Sequence, residues 1–307
     1  GGTSRKRCGR FARLRPEPTL PDIAYVNGAY LPLAEARVSI LDRGFLFADG
    51  VYEVAAVIGG RLIDNEAHLS RLENSLRELG IEPPLSSQKI ADVEAELVAR
   101  NDVNEGLVYL QITRGAASDR DFAFPAETSP TLVAFAQKKI ILASSAAETG
   151  VKVLTVPDLR WARRDIKTIA LLAQVLAKQA ALDAGCQEAW MVDQNGLVTE
   201  GSSSTAFIIT KANAIVTRPN SVAILPGCTR KAVQSLAARE GLTIEERGFS
   251  VAEAYEAKEA FLTSASNLVL PVVSIDGRPI GSGAPGASSR LLRTLYIEWA
   301  TNPGAIG

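Results

Sequence analysis

The sequence predicts an α+β fold of two domains joined by a short linker. The chain has 307 residues, enough for two domains of ordinary size, and its 47% hydrophobic and 22% charged residues are typical of a globular protein. Strand and helix patterns are mixed without a regular βαβ rhythm. Residues 138–150 read as a connection between two halves. We therefore expect a smaller N-terminal domain over 21–141 and a larger C-terminal domain over 142–307.

In the first half, turn residues and hydrophobic periodicity predict strands around two helices. A hairpin is expected over 23–32, with Asn27 and Gly28 as its two-residue turn. Leucines at helical spacing predict a helix over 65–79, ended by Gly80. The other predicted elements are a helix over 86–100 and strands over 51–58, 61–63, 107–113 and 131–136.

In the second half, a long apolar helix is predicted over 168–184, ended by Gly185. A second helix is expected to begin near Cys228, directly after a Pro-Gly pair, and to run to about residue 240. The remaining predicted elements are strands over 151–156, 188–193, 197–210, 260–263 and 270–275, and a terminal helix over 286–300.

The charge of the chain is unevenly distributed. The formal net charge is -1, but residues 1–20 carry six basic side chains against Glu17, which leaves the rest of the chain clearly acidic. An acidic body is a poor nucleic-acid binder, so we predict no nucleic-acid partner. The basic segment 1–20 is interpreted as a disordered extension, with a targeting or nucleic-acid arm as the alternative. No apolar run reaches the ~18 residues of a membrane span, so no membrane partner is predicted.

Histidine and cysteine counts restrict the chemistry further. The chain has one histidine, His68, so any triad or Cys-His pair would have to use it, and His-rich metal sites are excluded. The three cysteines, Cys8, Cys186 and Cys228, are odd in number and widely spaced, which is untypical of a disulfide framework or a zinc site. We predict a cytoplasmic protein without a metal centre.

One lysine stands out among the candidate nucleophiles. The sequence contains no phosphate-binding loop motif of the G-x-x-x-x-G-K-[ST] type and no G-x-S-x-G elbow. Lys167 follows the arginine-rich segment 160–164 and precedes a very apolar stretch. Most such lysines only cover apolar surface with their stems. Burial beside cationic groups, however, lowers the pKa of a lysine and allows it to form a Schiff base.

Three further segments are informative when they are read together with Lys167. Glu200 lies at a predicted strand end beside the serines at 202–204, where a solvated turn is the alternative interpretation. The segment 226–230 opens a helix, and free N–H groups there bind phosphate unless this is an ordinary capped helix start. Arg71 lies three residues after His68 on one helix face, where most arginines are simply solvated.

These segments belong to a set of ordered motifs that runs from about residue 23 to about residue 281. They are LDRGFLFADGVYEV (41–54), HLSRL (68–72), YLQITRG (109–115), RWARRDIKTIALL (160–172), LAKQ (176–179), TEGSSS (199–204), PGCTR (226–230) and FLTSAS (261–266). Together they resemble the class IV, or fold type IV, pyridoxal-phosphate-dependent aminotransferases. Within that family the resemblance is closest to the bacterial D-amino acid aminotransferases.

The resemblance implies a homodimer of two-domain subunits with pyridoxal 5′-phosphate in the cleft between the domains. Lys167 would be the Schiff-base lysine and would also carry the substrate proton. Glu200 would pair with the pyridine nitrogen and keep it protonated, so that the ring acts as an electron sink. Ser203 and Ser204 would lie by the ring and position both the cofactor and Glu200. The implied phosphate ligands are Arg71 and the backbone amides of Cys228 and Thr229, with help near Ser264 and Ala265.

The substrate-binding loop is where the sequence departs from this family. The D-amino acid enzymes carry Arg-x-His after the 109–115 motif, and this pair reaches into the other subunit to bind the substrate α-carboxylate together with a tyrosine. Arg120 matches the arginine and Tyr52 the tyrosine, but Phe122 stands at the histidine position. A missing donor weakens such binding by about 1–3 kcal/mol. Phe122 then marks a more apolar pocket or packs on its own domain.

The resemblance therefore implies a D-amino acid:2-oxo acid aminotransferase with ping-pong half-reactions. D-Alanine, D-glutamate or D-aspartate would be donors, and pyruvate or 2-oxoglutarate acceptors. The alternatives on the same fold are a branched-chain L-amino acid aminotransferase, an (R)-amine aminotransferase and a 4-amino-4-deoxychorismate lyase. A non-enzymatic alternative is a degenerate protein that only binds pyridoxal phosphate, but such a protein would have lost Lys167 or Glu200.

Overall fold

The computed structural model describes residues 22–302, and two β-sheets organise this part of the chain. The first sheet consists of β1 (Ile23–Val26), β2 (Ala29–Pro32), β3 (Gly50–Ile58), β4 (Arg61–Leu62), β5 (Glu105–Thr113) and β6 (Thr131–Lys138). Its spatial order is β2-β1-β6-β5-β3-β4, and every neighbouring pair is antiparallel.

Three helices accompany the first sheet. They are α1 (Arg43–Phe47), α2 (Asn65–Leu79) and α3 (Ser87–Arg100). The apolar stripes of α2 and α3 pack against the sheet, and Leu72, Leu76 and Leu97 are almost fully buried in the resulting core. Burial of this kind stabilises by about 1.5–3 kcal/mol per large apolar side chain. Helix α2 packs directly against β3, and β3 forms one wall of the site described below.

The second sheet has nine strands and is mixed. Its strands are β7 (Val151–Pro157), β8 (Glu188–Val192), β9 (Val198–Gly201), β10 (Thr205–Ile209), β11 (Ile215–Thr217), β12 (Ile244–Glu246), β13 (Glu259–Ser264), β14 (Leu268–Ile275) and β15 (Arg278–Pro279). The spatial order is β12-β11-β10-β13-β14-β7-β8-β9, with β15 paired to β14. The parallel pairs are β11 with β12, β14 with β7 and β7 with β8.

Five helices belong to this second half: α4 (Ser145–Thr149), α5 (Leu172–Asp183), α6 (Cys228–Arg239), α7 (Val251–Tyr255) and α8 (Ala287–Thr301). One apolar cluster crosses between the halves, because Ala56 and Ile58 of β3 pack with Phe207 of β10 and Tyr296 of α8. The Tyr296 hydroxyl also donates to Asp64 Oδ2 at 2.6 Å. Helix α8 therefore locks the two sheets together beside the cleft.

Most predicted elements are confirmed, and so is the α+β class. The first hairpin turns at Asn27 and Gly28, whose φ angles of 44° and 99° are those a two-residue hairpin turn requires. Helix α2 spans the predicted range and ends at Gly80 in the left-handed conformation. The sheets draw their strands from residues 23–138 and 151–279, while the division at residues 141 and 142 remains a prediction. The predicted basic extension, 1–20, lies outside the described residues.

Two predicted elements differ from the structure, one at its start and one in its middle. The long helix begins at Leu172 instead of 168, because the backbone of residues 167–169 forms hydrogen bonds with the start of β3. The predicted strand 197–210 is two strands, since a turn closed by a hydrogen bond from Gly201 N–H to Ser204 O separates β9 from β10. Within residues 22–302, no helix is long and apolar enough to cross a membrane.

Replacing Tyr296 by phenylalanine tests the connection between the halves. We expect Tyr296→Phe to lower the free energy of unfolding by about 1–3 kcal/mol, because the Asp64 carboxylate loses its hydrogen bond in a largely desolvated position. Urea unfolding followed by fluorescence measures this. The matched control is Tyr30→Phe, since the Tyr30 hydroxyl makes no hydrogen bond within the described part of the chain and should change stability little. Equal effects of the two substitutions would contradict the assignment.

Candidate active site

A cleft between the two sheets collects ten of the twelve predicted site residues. Its walls come from β3, α2, the segment that precedes α5, the β9–β10 turn, the start of α6 and the end of β13. The predicted residues that line it are Tyr52, Arg71, Lys167, Glu200, Ser203, Ser204, Cys228, Thr229, Ser264 and Ala265. Residues far apart in sequence thus meet in one place, and the position of the cleft agrees with the prediction.

Lys167 is held in the cleft through its backbone. Its carbonyl accepts a hydrogen bond from the Tyr52 N–H at 3.0 Å, and its own N–H donates to Ser75 Oγ at 3.2 Å. The Nζ atom lies 4.1 Å from the centroid of the Tyr52 ring. An ammonium group at this distance is attracted by the ring face. The hydrogen bonds that tie residues 167–169 to β3, and so delay the start of α5, therefore also position the Lys167 side chain.

Glu200 ends strand β9 and is buried. It forms an ion pair with Arg160, and its two oxygens accept from the Leu225 N–H at 3.3 and 3.2 Å. Burial raises the pKa of Glu200, although Arg160 and the Leu225 N–H act in the opposite direction. Arg160 is shared with Asp158, whose Oδ2 it reaches at 2.7 Å. The Glu200 carboxylate can therefore accept a further cationic donor in the cleft.

The opposite end of the cleft is built to bind an anion. Helix α6 starts at Cys228 behind Gly227, which has no capping side chain, and the N–H groups of residues 228–230 have no partner within the described chain. Arg71 lies beside them and donates to Pro226 O at 2.9 Å. The buried Thr263 Oγ1 of the cleft wall has no hydrogen-bond partner among the described residues. Free amides, a guanidinium and an unused hydroxyl are the donor set that phosphate prefers.

Arg71 is held by a buried charged network. Two of its nitrogens, Nε and Nη2, donate to the two carboxylate oxygens of Glu53 at 2.8 and 2.7 Å, and His68 Nδ1 lies 2.7 Å from Glu53 Oε2. Burial alone would raise the pKa of Glu53, but Arg71 outweighs it and lowers that pKa to about 2. Burial alone would lower the pKa of His68, but hydrogen bonds to Cys228 and Glu53 raise it to about 9. The network is therefore fully charged at neutral pH.

The serines of the β9–β10 turn do not contact Glu200, and their predicted contact with the cofactor stays a prediction. The hydroxyl groups of Ser203 and Ser204 face Glu188, with Oγ–Oε2 distances of 3.4 and 3.1 Å, and not Glu200. They line the cleft, but the orientation of Glu200 depends on Arg160 and on the Leu225 N–H. The turn geometry explains the difference, because the chain reverses after Gly201 and directs these side chains toward β8.

Arg120 and Phe122 do not line the cleft of their own chain as the described residues define it. They lie on the loop 116–130, where Phe122 is 76% exposed and its ring centroid is 5.2 Å from that of Phe47. Arg43, a buried arginine, donates to the backbone carbonyls of residues 121–123 and pairs with Asp49 at 2.8 Å. Arg43 thus anchors the loop, and the Arg120 guanidinium lies 5.0 and 5.4 Å from the ring centroids of Phe47 and Phe122.

Several residues at or beside the cleft were not predicted from the sequence. They include Glu53, Asp158, Arg160 and Glu188. Glu53 interrupts an otherwise apolar run in β3, and a lone carboxylate in such a run signals a buried ion pair. Asp158 and Arg160 belong to a dense group of charges just before Lys167. These signals were present, but the partners of each group could not be read from the sequence.

Comparison with known proteins identifies the family. The family model Amino-transferase class IV matches residues 50–275. The chain belongs to the class IV aminotransferases. This class IV aminotransferase is 40% identical to the D-alanine aminotransferase of Bacillus licheniformis over 268 residues, which cover 87% of this chain and 93% of that protein. It is 37% identical to the D-alanine aminotransferase of Staphylococcus aureus (strain N315), covering 89% of this chain and 97% of that protein.

Solved structures of branched-chain aminotransferases share the fold of this class IV aminotransferase. The branched-chain amino acid aminotransferase of Escherichia coli superposes with a TM-score of 0.85 at 21% identity, covering 94% of this chain and 98% of that one. The T.th. branched-chain amino acid aminotransferase, solved with pyridoxamine 5′-phosphate, has a TM-score of 0.85 at 26% identity, covering 93% of this chain and 96% of that one. At 21% identity, the likeness to the Escherichia coli enzyme concerns the fold alone.

The charge on His68 makes stability depend on pH. The imidazolium stabilises the fold fully below the unfolded pKa of 6.5, and this contribution is lost as the pH rises through about 9. We expect the wild type to lose on the order of 1–3 kcal/mol of unfolding free energy over this interval relative to His68→Gln. Glutamine keeps a hydrogen-bonding group but cannot titrate. Urea unfolding across the interval measures the difference, and parallel pH profiles would show that His68 is uncharged in the folded protein.

Proposed function

We propose that the protein is a D-amino acid:2-oxo acid aminotransferase that uses pyridoxal 5′-phosphate. The observation that carries the proposal is a single cleft holding an amine at Lys167, a buried carboxylate at Glu200 and an anion-binding end beside Arg71. These three groups match the aldehyde, the ring nitrogen and the phosphate of the cofactor. The 40% identity to a D-alanine aminotransferase supports D-amino acids as the amino donors.

Different residues of the cleft would bind different parts of the cofactor. Arg71 and the N–H groups of Cys228 and Thr229 would bind the phosphate, with Ser264 and Ala265 beside it. Glu200 would bind the protonated ring nitrogen, which suits a buried carboxylate that Arg160 satisfies only in part. Pyridoxal phosphate, when bound, supplies the carbonyl that takes up the amino group and the electron sink that stabilises charge at the substrate Cα.

Lys167 would do the proton transfer. In the first half-reaction its Nζ would move a proton from the Cα of the amino donor to the cofactor carbon that takes up the amino group, and in the second half-reaction it would move a proton from that carbon to the Cα of the oxo acid. The Tyr52 ring lies 4.1 Å from Nζ and would help to position the amine. No histidine is needed for this step, which fits a chain whose one histidine is engaged with Glu53.

We also propose that the working unit is a homodimer in the cytoplasm. Large apolar side chains are exposed on α1, at residues 159 and 161 and on α5, a pattern that marks protein interfaces. They are Phe45, Leu159, Trp161, Leu172, Val175 and Leu176. A two-fold dimer would bring the loop with Arg120, which does not line the cleft of its own chain, to the neighbouring site. Two free cysteines, Cys186 and Cys228, fit a reducing compartment.

A branched-chain L-amino acid aminotransferase is the second candidate. Solved structures of that activity have the same fold, and Phe122 replaces the expected histidine of the carboxylate site. The purely binding alternative is disfavoured because Lys167 and Glu200 are both present and share the cleft.

Substrate enantiomers separate the two activities. The purified protein, mixed with D-alanine and 2-oxoglutarate, should form pyruvate and glutamate, and L-leucine should be a much poorer donor. Lys167→Ala should abolish both turnover and the visible absorbance of the covalently held cofactor, because no other amine occupies its position. Turnover of L-leucine without turnover of D-alanine would establish the second candidate. Full activity of Lys167→Ala would refute the site.

Mixing an inactive and a weakened variant tests whether Arg120 acts across the dimer. Arg120→Ala should lower kcat/KM for D-alanine about 10- to 100-fold, because a charged hydrogen-bond donor to the α-carboxylate is lost. In a hybrid dimer with Lys167→Ala, one of the two sites receives an intact lysine and an intact arginine. We therefore expect co-refolding of the two variants to restore activity above that of either alone. Absence of complementation would place Arg120 outside the neighbouring site.

A further inference from the structure

Four arginines among the described residues line the cleft, and three of them are firmly paired. Arg71, Arg160 and Arg230 each contact a carboxylate oxygen of Glu or Asp at 2.5–2.7 Å. These pairs fix the positions of the three guanidinium groups. The fourth, Arg164, is different.

The guanidinium of Arg164 has unused hydrogen-bonding capacity. Its Nε is buried and has no hydrogen-bond partner in the described part of the chain. The nearest carboxylate oxygen, Asp158 Oδ2, lies 3.4 Å away and already accepts hydrogen bonds from Arg160 and Thr199, both at 2.7 Å. Arg164 Nη2 reaches only the Arg160 carbonyl, at 3.5 Å, which is a long and weak contact.

A guanidinium without hydrogen-bond partners lowers the stability of the fold unless a bound ligand supplies those partners. The Arg164 side chain is only 17% exposed, so water does not fully replace the missing partners. Gln174, on the first turn of α5, also lines the cleft, and its Oε1 is buried without a hydrogen-bond partner among the described residues. Two polar side chains with unused capacity therefore occupy the same cleft as Lys167. A planar guanidinium with free N–H groups matches a carboxylate, which it can bind through two parallel hydrogen bonds.

We propose that Arg164 binds the side-chain carboxylate of a dicarboxylic substrate. The inference rests on the proposed function, in which the α-carboxylate is bound by Arg120 of the partner subunit and Tyr52. That arrangement leaves Arg164 free for a second carboxylate. The preferred donors are then D-glutamate and D-aspartate, and the preferred acceptor is 2-oxoglutarate, over D-alanine and pyruvate.

Arg164→Gln in the holoenzyme tests this assignment, and Arg163→Gln is the matched control. Arg163 is the adjacent arginine, but its guanidinium is 41% exposed and pairs with Asp165 and Glu78 at 2.9 and 2.6 Å, away from the cleft. We expect Arg164→Gln to lower kcat/KM for D-glutamate roughly 10- to 100-fold, because a charged hydrogen bond is lost, and to leave D-alanine within about threefold. Arg163→Gln should change neither donor appreciably.

Binding of unreactive acids gives a readout that does not depend on turnover. By calorimetry, glutarate should bind the wild-type holoenzyme more tightly than butyrate, and Arg164→Gln should remove this difference while Arg163→Gln keeps it. If Arg164→Gln does not fold, Arg164→Lys keeps the charge without the planar fork and should show a partial loss of glutarate affinity.

Two outcomes would overturn the proposal. An equal loss for D-glutamate and D-alanine would mean that Arg164 serves the α-carboxylate or the fold, and an unchanged preference for glutarate over butyrate would exclude it from binding the second carboxylate. If the wild type turned over no D-amino acid at all, the proposed function would fail, while the glutarate and butyrate titrations would still decide the role of Arg164.

Discussion

The buried ion pair between Glu53 and Arg71 is the interaction on which the site depends. It joins β3 to α2, and the remaining nitrogen of Arg71 reaches the carbonyl of Pro226 at the start of α6. One guanidinium therefore ties the first sheet to the second half at the anion-binding end of the cleft. Removing one member of such a pair costs about 3–5 kcal/mol, because the other charge is left buried and unpaired. His68 adds a second positive charge to the same carboxylate.

The charges of the cleft are divided unequally among its arginines. Asp158 and Glu200 share Arg160, so neither carboxylate has a cation of its own. Glu200 can therefore bind a cationic ring nitrogen. Arg164 can bind an anion, because the nearest oxygen of Asp158 lies 3.4 Å away and already accepts other hydrogen bonds. In a low-dielectric cleft these unsatisfied charges are stronger than they would be in water. Cofactor and substrate binding can therefore be understood as completing a charge network that the protein leaves incomplete.

Local patterns predicted the parts of the structure that are stabilised locally. Helix α2 has a leucine stripe and a glycine stop, and its bounds are as predicted. The start of α5 is wrong because the apolar residues after Lys167 are helix formers by pattern, yet their backbone pairs with β3. Tertiary hydrogen bonds outweigh helix propensities of a few tenths of a kcal/mol per residue. The assignment of Ser203 and Ser204 to Glu200 failed for a similar reason, since the turn directs them to Glu188.

The sequence by itself determined the chemical groups of the site and the family, because the lysine, the carboxylate and the helix start occur in short motifs that can be recognised without coordinates. Only the tertiary structure decided which charges pair. Glu53 and Arg71 are 18 residues apart and Arg160 and Glu200 are 40 apart, and such pairs form through strand and helix packing that no local pattern encodes. The same packing leaves Arg164 without a close partner, because the nearest carboxylate oxygen, Asp158 Oδ2, already accepts hydrogen bonds from Arg160 and Thr199.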